Sequence, residues 1–355
     1  MRKSNSLLFL AGTSAEAIKL SPIIRRLKNE KMSYSFVWTG QHVNLVDQSF
    51  DHYFLPVTGY FITKGWRGKN PVTFWQFSLW YVWMNLSLLR YLLMNRPQIL
   101  VVHGDTLSAL AGSYIGRFLG IQVAHVEAGY RNAKRWTPFP EEMTRRLISR
   151  FANLHFAPGH EMVQNLIAQG VSKDHVFNTF DNTAIDNLYD LKIENKSEGY
   201  GVVTLHRTEF LTNRKLLSKT FFALNSYGRD KRICVVADHR LLNALEKLSH
   251  NSLSNLKIIP KMKYLDFIRY VAKADFVITD SGGLRQEMEH LGKPLIIHRS
   301  EVEYQIQEKS SLRLTFLSIE EMTKLIERHE ELLTKVNSDF KSPSAEIIRI
   351  LKRIL

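Results

Sequence analysis

The chain has 355 residues, 45% hydrophobic and 23% charged, which is long enough for two domains with separate cores. Its single cysteine, Cys234, excludes a disulfide framework and a cysteine-ligated zinc site. A formal net charge of +14 asks for an anionic partner. The basic residues form no single tract and match no zinc-finger, RRM or KH pattern, so no nucleic-acid partner is expected; nucleotide sugars and anionic lipid stay open. Residues 7–10 are apolar but too short for a signal h-region, and no apolar run reaches membrane-spanning length, so a cytoplasmic protein is expected.

In chain order, the apolar run 6–10 predicts a strand, 12–16 a turn, and 17–29 an amphipathic helix. A second strand over 34–39 ends in Gly40-Gln41-His42. A long helix is predicted over 74–94. It carries Trp80 and Trp83 on one face, with Phe77, Tyr81 and Met84 on a neighbouring one. Such a helix is either buried on several sides or at a dimer interface, or it rests on an anionic membrane with Lys64, Arg67, Lys69, Arg90 and Arg96 toward the headgroups. Then follow a strand over 99–103, a helix over 108–119, strand 123–126, helix 141–151, strand 154–157 and helix 161–169. The second half repeats the scheme. Its strands are 200–205, 233–237, 256–259, 276–279 and 295–297; its helices are 214–227, 241–248, 264–272, 283–290 and 319–334.

This alternation predicts an α/β chain of two Rossmann-like domains facing across a cleft. The polar run 194–199 interrupts the pattern, which places one domain over 1–180 and a second, nucleotide-binding one over 181–340. The terminal helix 341–355 is expected to pack back on the first.

Three carboxylates stand out. Asp105 lies in Val-His-Gly-Asp-Thr (102–106), Glu127 in His-Val-Glu-Ala-Gly-Tyr-Arg (125–131) and Glu141 in Pro-Phe-Pro-Glu-Glu-Met-Thr-Arg (138–145). The first two follow predicted parallel strands, whose C-terminal ends line the ligand crevice of α/β proteins. Carboxylates gathered there would raise one another's pKa, as acid–base work at neutral pH requires. Gly12-Thr13-Ser14-Ala15-Glu16-Ala17 offers backbone N–H groups for an anion, with Lys19 one turn in. Asp280-Ser281-Gly282-Gly283 opens a helix with Glu287 in its first turn, a second phosphate cradle with a ribose partner. His206-Arg207 ends a strand and suits a diphosphate leaving group.

On these motifs the chain resembles the non-hydrolysing UDP-N-acetylglucosamine 2-epimerases. The likeness runs from Gly12 to about Glu303. Its elements are Gly-Thr-x-x-Glu-Ala-Ile-Lys (12–19), Thr-Gly-Gln-His (39–42), His-Gly-Asp-Thr (103–106), His-Val-Glu-Ala-Gly-x-Arg (125–131), Pro-Phe-Pro-Glu-Glu-Met-x-Arg (138–145), His-Phe-Ala-Pro (155–158), Asp-Asn-Thr-x-Ile-Asp (181–186), His-Arg (206–207) and Thr-Asp-Ser-Gly-Gly (279–283). The resemblance implies a glycosyltransferase-B-like fold and epimerisation at C2 of UDP-N-acetylglucosamine by anti elimination and re-addition of UDP. It implies neither metal nor nicotinamide cofactor, and a homodimer. Carried over, Asp105, Glu127, Glu141 and His206 match catalytic positions, with either Asp105 or Glu127 as the C2 base. Lys19, Arg145, Ser281, Gly282, Gly283 and Glu287 match nucleotide-sugar contacts, and Gln41, His42, Arg207 and His239 a possible activator site.

Departures lie on the nucleotide side. Ser14-Ala15 stands where the family has Arg-Pro, Arg207-Thr208-Glu209-Phe210 where it has Arg-Arg-Glu-Asn, and Glu303-Tyr304-Gln305-Ile306 where it has Glu-Arg-Pro-Glu. They leave a second expectation, a glycosyltransferase or other nucleotide-sugar enzyme on the same scaffold with a lipid-linked acceptor.

Overall fold

The computed structural model of the chain describes residues 6–41, 60–61, 74–132, 139–190, 192–248, 253–300, 310–335 and 340–355. The chain divides into two compact units: 1–187 joined by 341–355, and 188–340.

The first unit is a seven-stranded parallel sheet of order β3-β2-β1-β4-β5-β6-β7. The strands are β1 (Leu7–Ala11), β2 (Tyr34–Trp38), β3 (Tyr60–Phe61), β4 (Ile99–His103), β5 (Gln122–Val126), β6 (Leu154–Ala157) and β7 (Val176–Asn178). Its helices are α1 (Ser14–Asn29), α2 (Phe74–Met94), α3 (Leu107–Phe118), α4 (Glu141–Phe151), α5 (His160–Ala168) and α6 (Asp186–Asp190). β1 and β4 are buried along their whole length, as strands covered by helices on both faces must be. Leu8, Leu10, Leu100 and Val102 pack there with Met84 and Leu88 of α2 and Ile148 of α4.

The second unit is a six-stranded parallel sheet of order β10-β9-β8-β11-β12-β13. These are β8 (Tyr200–Thr204), β9 (Arg232–Ala237), β10 (Leu256–Pro260), β11 (Phe276–Thr279), β12 (Leu295–Ile297) and β13 (Leu312–Leu314). They alternate with α7 (Thr208–Thr212), α8 (Arg214–Tyr227), α9 (His239–Glu246), α10 (Tyr264–Ala272), α11 (Arg285–Leu291) and α12 (Ile319–Glu327). Phe221 and Leu224 of α8, Leu241 of α9 and Met322 of α12 fill the core against Val203, Val235 and Ile278. Cys234 is buried in β9. Both sheets are doubly wound. The strand order reverses between β1 and β4 in one unit and between β8 and β11 in the other. Loops leaving the C-terminal ends of such a pair form the ligand crevice of this architecture.

Chain ends and caps follow local chemistry. Thr13 caps α1 in a reciprocal box with Glu16. The terminal helix α13 (Pro343–Ile354) starts at Ser342 with proline in its first turn. Buried Asp186 accepts from Ser344 N at 2.8 Å, and Arg26 Nε reaches Ser344 Oγ at 2.7 Å, which fastens α13 to the first unit.

Several elements differ from the sequence-based expectation. β3, β7, β13 and α7 were not expected; each is five residues or fewer and lacks the continuous apolar run of three or more residues that marks the equally short β12. The helix expected over 319–334 ends at Glu327. The imidazole of His329 lies 2.7 Å from the carbonyl of Ile326 and takes the place of the next helical N–H. A short 3₁₀ turn, His329–Leu332, follows. α2 has one buried edge, Met84, Leu88 and Leu92, and exposes Trp75, Leu79, Val82, Trp83 and Leu86, so burial on several sides does not hold within this chain. No helix among the described residues is long and apolar enough to cross a membrane.

Candidate functional site

In the first unit the loops after β1, β4 and β5 carry the expected side chains. Glu127 follows β5 with φ +64°, a left-handed conformation unfavourable to a side-chain-bearing residue. Gly129, two residues on, has φ +95°, and a Cβ there would lie 2.4 Å from the carbonyl oxygen of Met162. The tight return of this loop aims the Glu127 carboxylate at two donors, Lys19 and Asn182, with the His103 ring beside it. Lys19 Nζ lies 2.6 and 2.8 Å from its two oxygens. Asn182 Nδ2 donates to Oε1. His103 Nε2 sits 3.3 Å from Oε2. Burial, helped by the Lys19 charge, holds the His103 pKa well below its usual value, so this imidazole is neutral.

Asp105 is held from α4. Arg145 donates from Nε at 2.8 Å and approaches with a second nitrogen at 2.7 Å, both on Oδ2. Thr144 Oγ1 donates to the Asp105 carbonyl at 2.6 Å. The fork leaves Oδ1 with no hydrogen-bond donor among the described residues, on a side chain 30% exposed. Glu141 begins α4, and its Oε2 is buried without a hydrogen-bond partner among the described residues. Its neighbour Glu142 is fully buried and anchors the turn, accepting from Asn132 N at 3.2 Å and pairing with Arg146 at 2.8 Å. Arg131 is structural: it donates to Tyr130 O, Ser149 Oγ and Gln169 Oε1 at 2.6–2.8 Å, and burial lowers its pKa to about 10.

Two expectations need correction. The carboxylates are not matched to one another; Asp105 pairs with Arg145 and Glu127 with Lys19. Opposite charges within contact distance lower the energy of both partners, whereas like charges would raise it. The turn at Gly12–Thr13 is not an open anion cradle. Glu16 fills it, with Oε2 accepting from Gly12 N at 2.9 Å, Thr13 N at 2.8 Å and Thr13 Oγ1 at 2.9 Å. Oε1 accepts from Thr106 Oγ1 at 2.8 Å, tying the loop after β1 to the loop that bears Asp105. Burial raises the Glu16 pKa to about 7 against these hydrogen bonds.

In the second unit, His206 and Arg207 follow β8 and Asp280 follows β11, on either side of the strand-order reversal. Asp280 is buried and accepts from His206 N and Arg207 N, each at 2.8 Å. Ser281 N donates to Thr279 Oγ1 at 3.0 Å, and Gly283 N to Ser281 Oγ at 3.2 Å, leaving Gly282 and Gly283 exposed. α11 opens at Arg285, two residues later than expected. Glu287 is buried in its first turn and accepts from Tyr264 Oη at 3.0 Å.

Of the activator-site expectation, Gln41 accepts from Ser108 Oγ at 2.8 Å in the first unit. Arg207 pairs with Glu209 at 3.1 Å, and His239 is exposed at the start of α9. His42, Glu303 and Tyr304 lie outside the described residues, as do Lys64, Arg67 and Lys69. Glu16, His103, Thr144, Asn182 and Asp280 were not singled out as site residues, although each stands inside a quoted motif. Among the described residues no group of three or more His, Cys, Asp or Glu is placed to hold a metal ion.

Residues 25–347 match the family model described as UDP-N-acetylglucosamine 2-epimerase. An enzyme of that name from Methanocaldococcus jannaschii is 31% identical over 97% of this chain and 98% of its own. One from Bacillus subtilis is 30% identical over 85% of this chain and 80% of its own. The crystal structure of the M. jannaschii enzyme with UDP-GlcNAc and UDP superposes with a TM-score of 0.79 at 30% identity, over 98% of this chain and 99% of that one. The Neisseria meningitidis enzyme bound to UDP-GlcNAc gives 0.80 at 25%, over 98% and 99%. With its loops, carboxylates and both parallel sheets accounted for, this chain belongs to the UDP-N-acetylglucosamine 2-epimerase family.

Proposed function

We propose that the protein interconverts UDP-N-acetylglucosamine and UDP-N-acetylmannosamine by removing the C2 proton, expelling UDP and adding it back to the 2-acetamidoglucal intermediate. The observation that carries this reading is the pairing of Asp105 with Arg145 and of Glu127 with Lys19, at the ends of neighbouring strands in a member of this family. C2 is not next to a carbonyl, so its proton is only weakly acidic. Its removal depends on a closely placed base and on stabilisation of the departing diphosphate.

Asp105 suits the base. Its Oδ2 is fixed by the Arg145 fork while Oδ1 is left for a C–H hydrogen. Glu127 already receives Lys19 and Asn182, so its part is to hold those donors in place around the sugar. Glu141 contributes a buried oxygen without a hydrogen-bond partner among the described residues, suited to a donor on the substrate. In the second unit, the exposed Gly282–Gly283 backbone and His206-Arg207 are assigned to the diphosphate, and Glu287 to the ribose. Ser14 stands in place of the family arginine, so Arg207 carries more of the charge neutralisation here.

The test is incubation with UDP-N-acetylglucosamine in deuterated water, followed by proton NMR. C2 deuterium appears together with UDP-N-acetylmannosamine; binding with no exchange would sink the proposal. Asp105→Asn abolishes exchange, whereas Glu127→Gln leaves a measurable residue of it. Full exchange by Asp105→Asn would overturn the base assignment.

The same reading includes a homodimer through α2. Trp75, Leu79, Val82 and Leu86 fall within one side of the helix and are exposed to solvent. A helix lying on an anionic membrane presents a cationic polar face opposite its apolar one. Here the opposite edge, Met84, Leu88 and Leu92, is buried in the chain's own core, and Arg90 is the sole charged residue in 74–94. A second copy of the chain therefore suits the stripe better than lipid. Sedimentation should find a dimer that Leu79→Glu with Leu86→Glu converts to a monomer. A wild-type monomer that pellets with anionic vesicles would reverse the assignment.

A further inference from the structure

We infer that Asp280 is a positioning residue for His206, the pair forming a carboxylate–imidazole dyad in the second unit. The inference rests on the proposed role of His206 in departure and return of the UDP group. Asp280 is 1% exposed, yet among the described residues no lysine or arginine pairs with it in the way that Arg145 and Lys19 pair with Asp105 and Glu127. Its Oδ2 accepts the backbone N–H groups of His206 and Arg207, each at 2.8 Å. Two bonds to consecutive amides fix the path of the chain as it leaves β8. Oδ1 is then left beside the His206 side chain, with Nδ1 3.4 Å away, and has no closer hydrogen-bond donor among the described residues.

A buried carboxylate oxygen that lacks a donor is costly, and the nearest group able to relieve it is the imidazole. It does so by carrying its proton on Nδ1, with a small closure of the 3.4 Å gap. Nε2 is then the nitrogen with the free lone pair, on a side chain that remains 42% exposed. The carboxylate thus selects the tautomer and sets the ring's direction, and it stabilises the imidazolium that forms when Nε2 takes a proton. No atom is gained or lost in the dyad itself. A proton passes between Nε2 and its partner, while Nδ1–H stays with Asp280.

Topology supports the assignment. Asp280 joins the loops after β8 and β11, the two strands at which the sheet order reverses. In the first unit Glu16 does the same for the loops after β1 and β4 through Gly12, Thr13 and Thr106. Each Rossmann-like unit therefore braces its ligand-facing loops with one buried carboxylate. Among the described residues, only in the second unit does that carboxylate also face an ionisable ring.

The experiment is nitrogen-15 NMR on the full-length labelled protein at about pH 8, where an ordinary histidine is neutral. The His206 resonances are assigned by their loss in His206→Gln. In the wild type Nδ1 is the protonated nitrogen and Nε2 the bare one; the reverse overturns the inference without recourse to any variant. In Asp280→Asn the amide N–H₂ faces Nδ1, so the tautomer reverses, and kcat falls about 10²- to 10⁴-fold with KM little changed, the size of an acid–base contribution. An unchanged tautomer in Asp280→Asn, with circular dichroism showing a folded protein, also overturns it. A reversed tautomer with unchanged kcat supports the dyad and refutes the catalytic role given to His206.

Discussion

At the level of single residues, the site's charges are organised by contacts that span long stretches of chain. Lys19 meets Glu127, and Asp105 meets Arg145, with Glu142 buried beneath that arginine at 3.6 Å from one of its nitrogens. Removing Glu142 leaves Arg145 and Arg146 without their buried counter-charge. Glu142→Ala should therefore lower stability by about 3–5 kcal/mol, as expected when one partner of a buried pair is deleted, read from urea unfolding. Loss of catalysis should accompany it, because the Arg145 fork on Asp105 loosens; an unchanged urea midpoint would show that Glu142 is not an anchor. Which acidic residues matter was visible in the motifs around Asp105, Glu127 and Glu141. That they would be matched to cations and not to one another was not visible, since the partners lie 40 and 108 positions away.

At the level of elements, loop geometry is enforced by a few backbone positions. Gly129 occupies a left-handed conformation, and the Met162 carbonyl fills the space a Cβ would need. Gly129→Ala adds both strain and a clash, at a cost of about 1–3 kcal/mol for the backbone conformation alone. The loop would displace Glu127, so activity should fall more than thermal stability does; retention of full activity would show that the loop accommodates the methyl group. Strands and helices of five or more residues with a clear period could be read directly, and β1, β4, α4, α8 and α10 are where the pattern places them or within a residue or two. The short β3, β7 and β13 could not, because they lack the continuous apolar run of three residues that marks β12, and their pairing comes from the neighbouring strand.

For the whole molecule, burial of histidine predicts an acid limit. His125 has its pKa lowered to about 3, and His155 and His298 to about 4, from an ordinary 6.5, each chiefly by burial. Below pH 6.5 the unfolded chain takes up protons that the folded chain refuses until near those values. Stability therefore falls as pH drops through this window and is indifferent to these groups above it, by about 1.4 kcal/mol per pH unit for each histidine. Glu16 opposes them. Its pKa is raised from 4.5 to about 7, so its contribution is present below pH 4.5 and is lost as pH rises through 7. Asp186, also raised by burial, acts with Glu16, and His103, also lowered by burial, acts with the other three rings, which leaves the histidines in control. The urea midpoint should be lower at pH 5 than at pH 7.5, and a flat profile would contradict the buried, neutral state of these rings.

The sequence by itself determined the α/β alternation, the family and the chemical identity of the acidic and glycine-rich loops, because periodicity and motif spacing are local properties. The tertiary structure alone decided that Glu16 closes the first glycine turn, that Asn182 and His103 converge on Glu127, and that Asp280 faces His206. Each of these contacts depends on which strands become neighbours, and parallel pairing brings together residues whose separation along the chain carries no signal of their meeting.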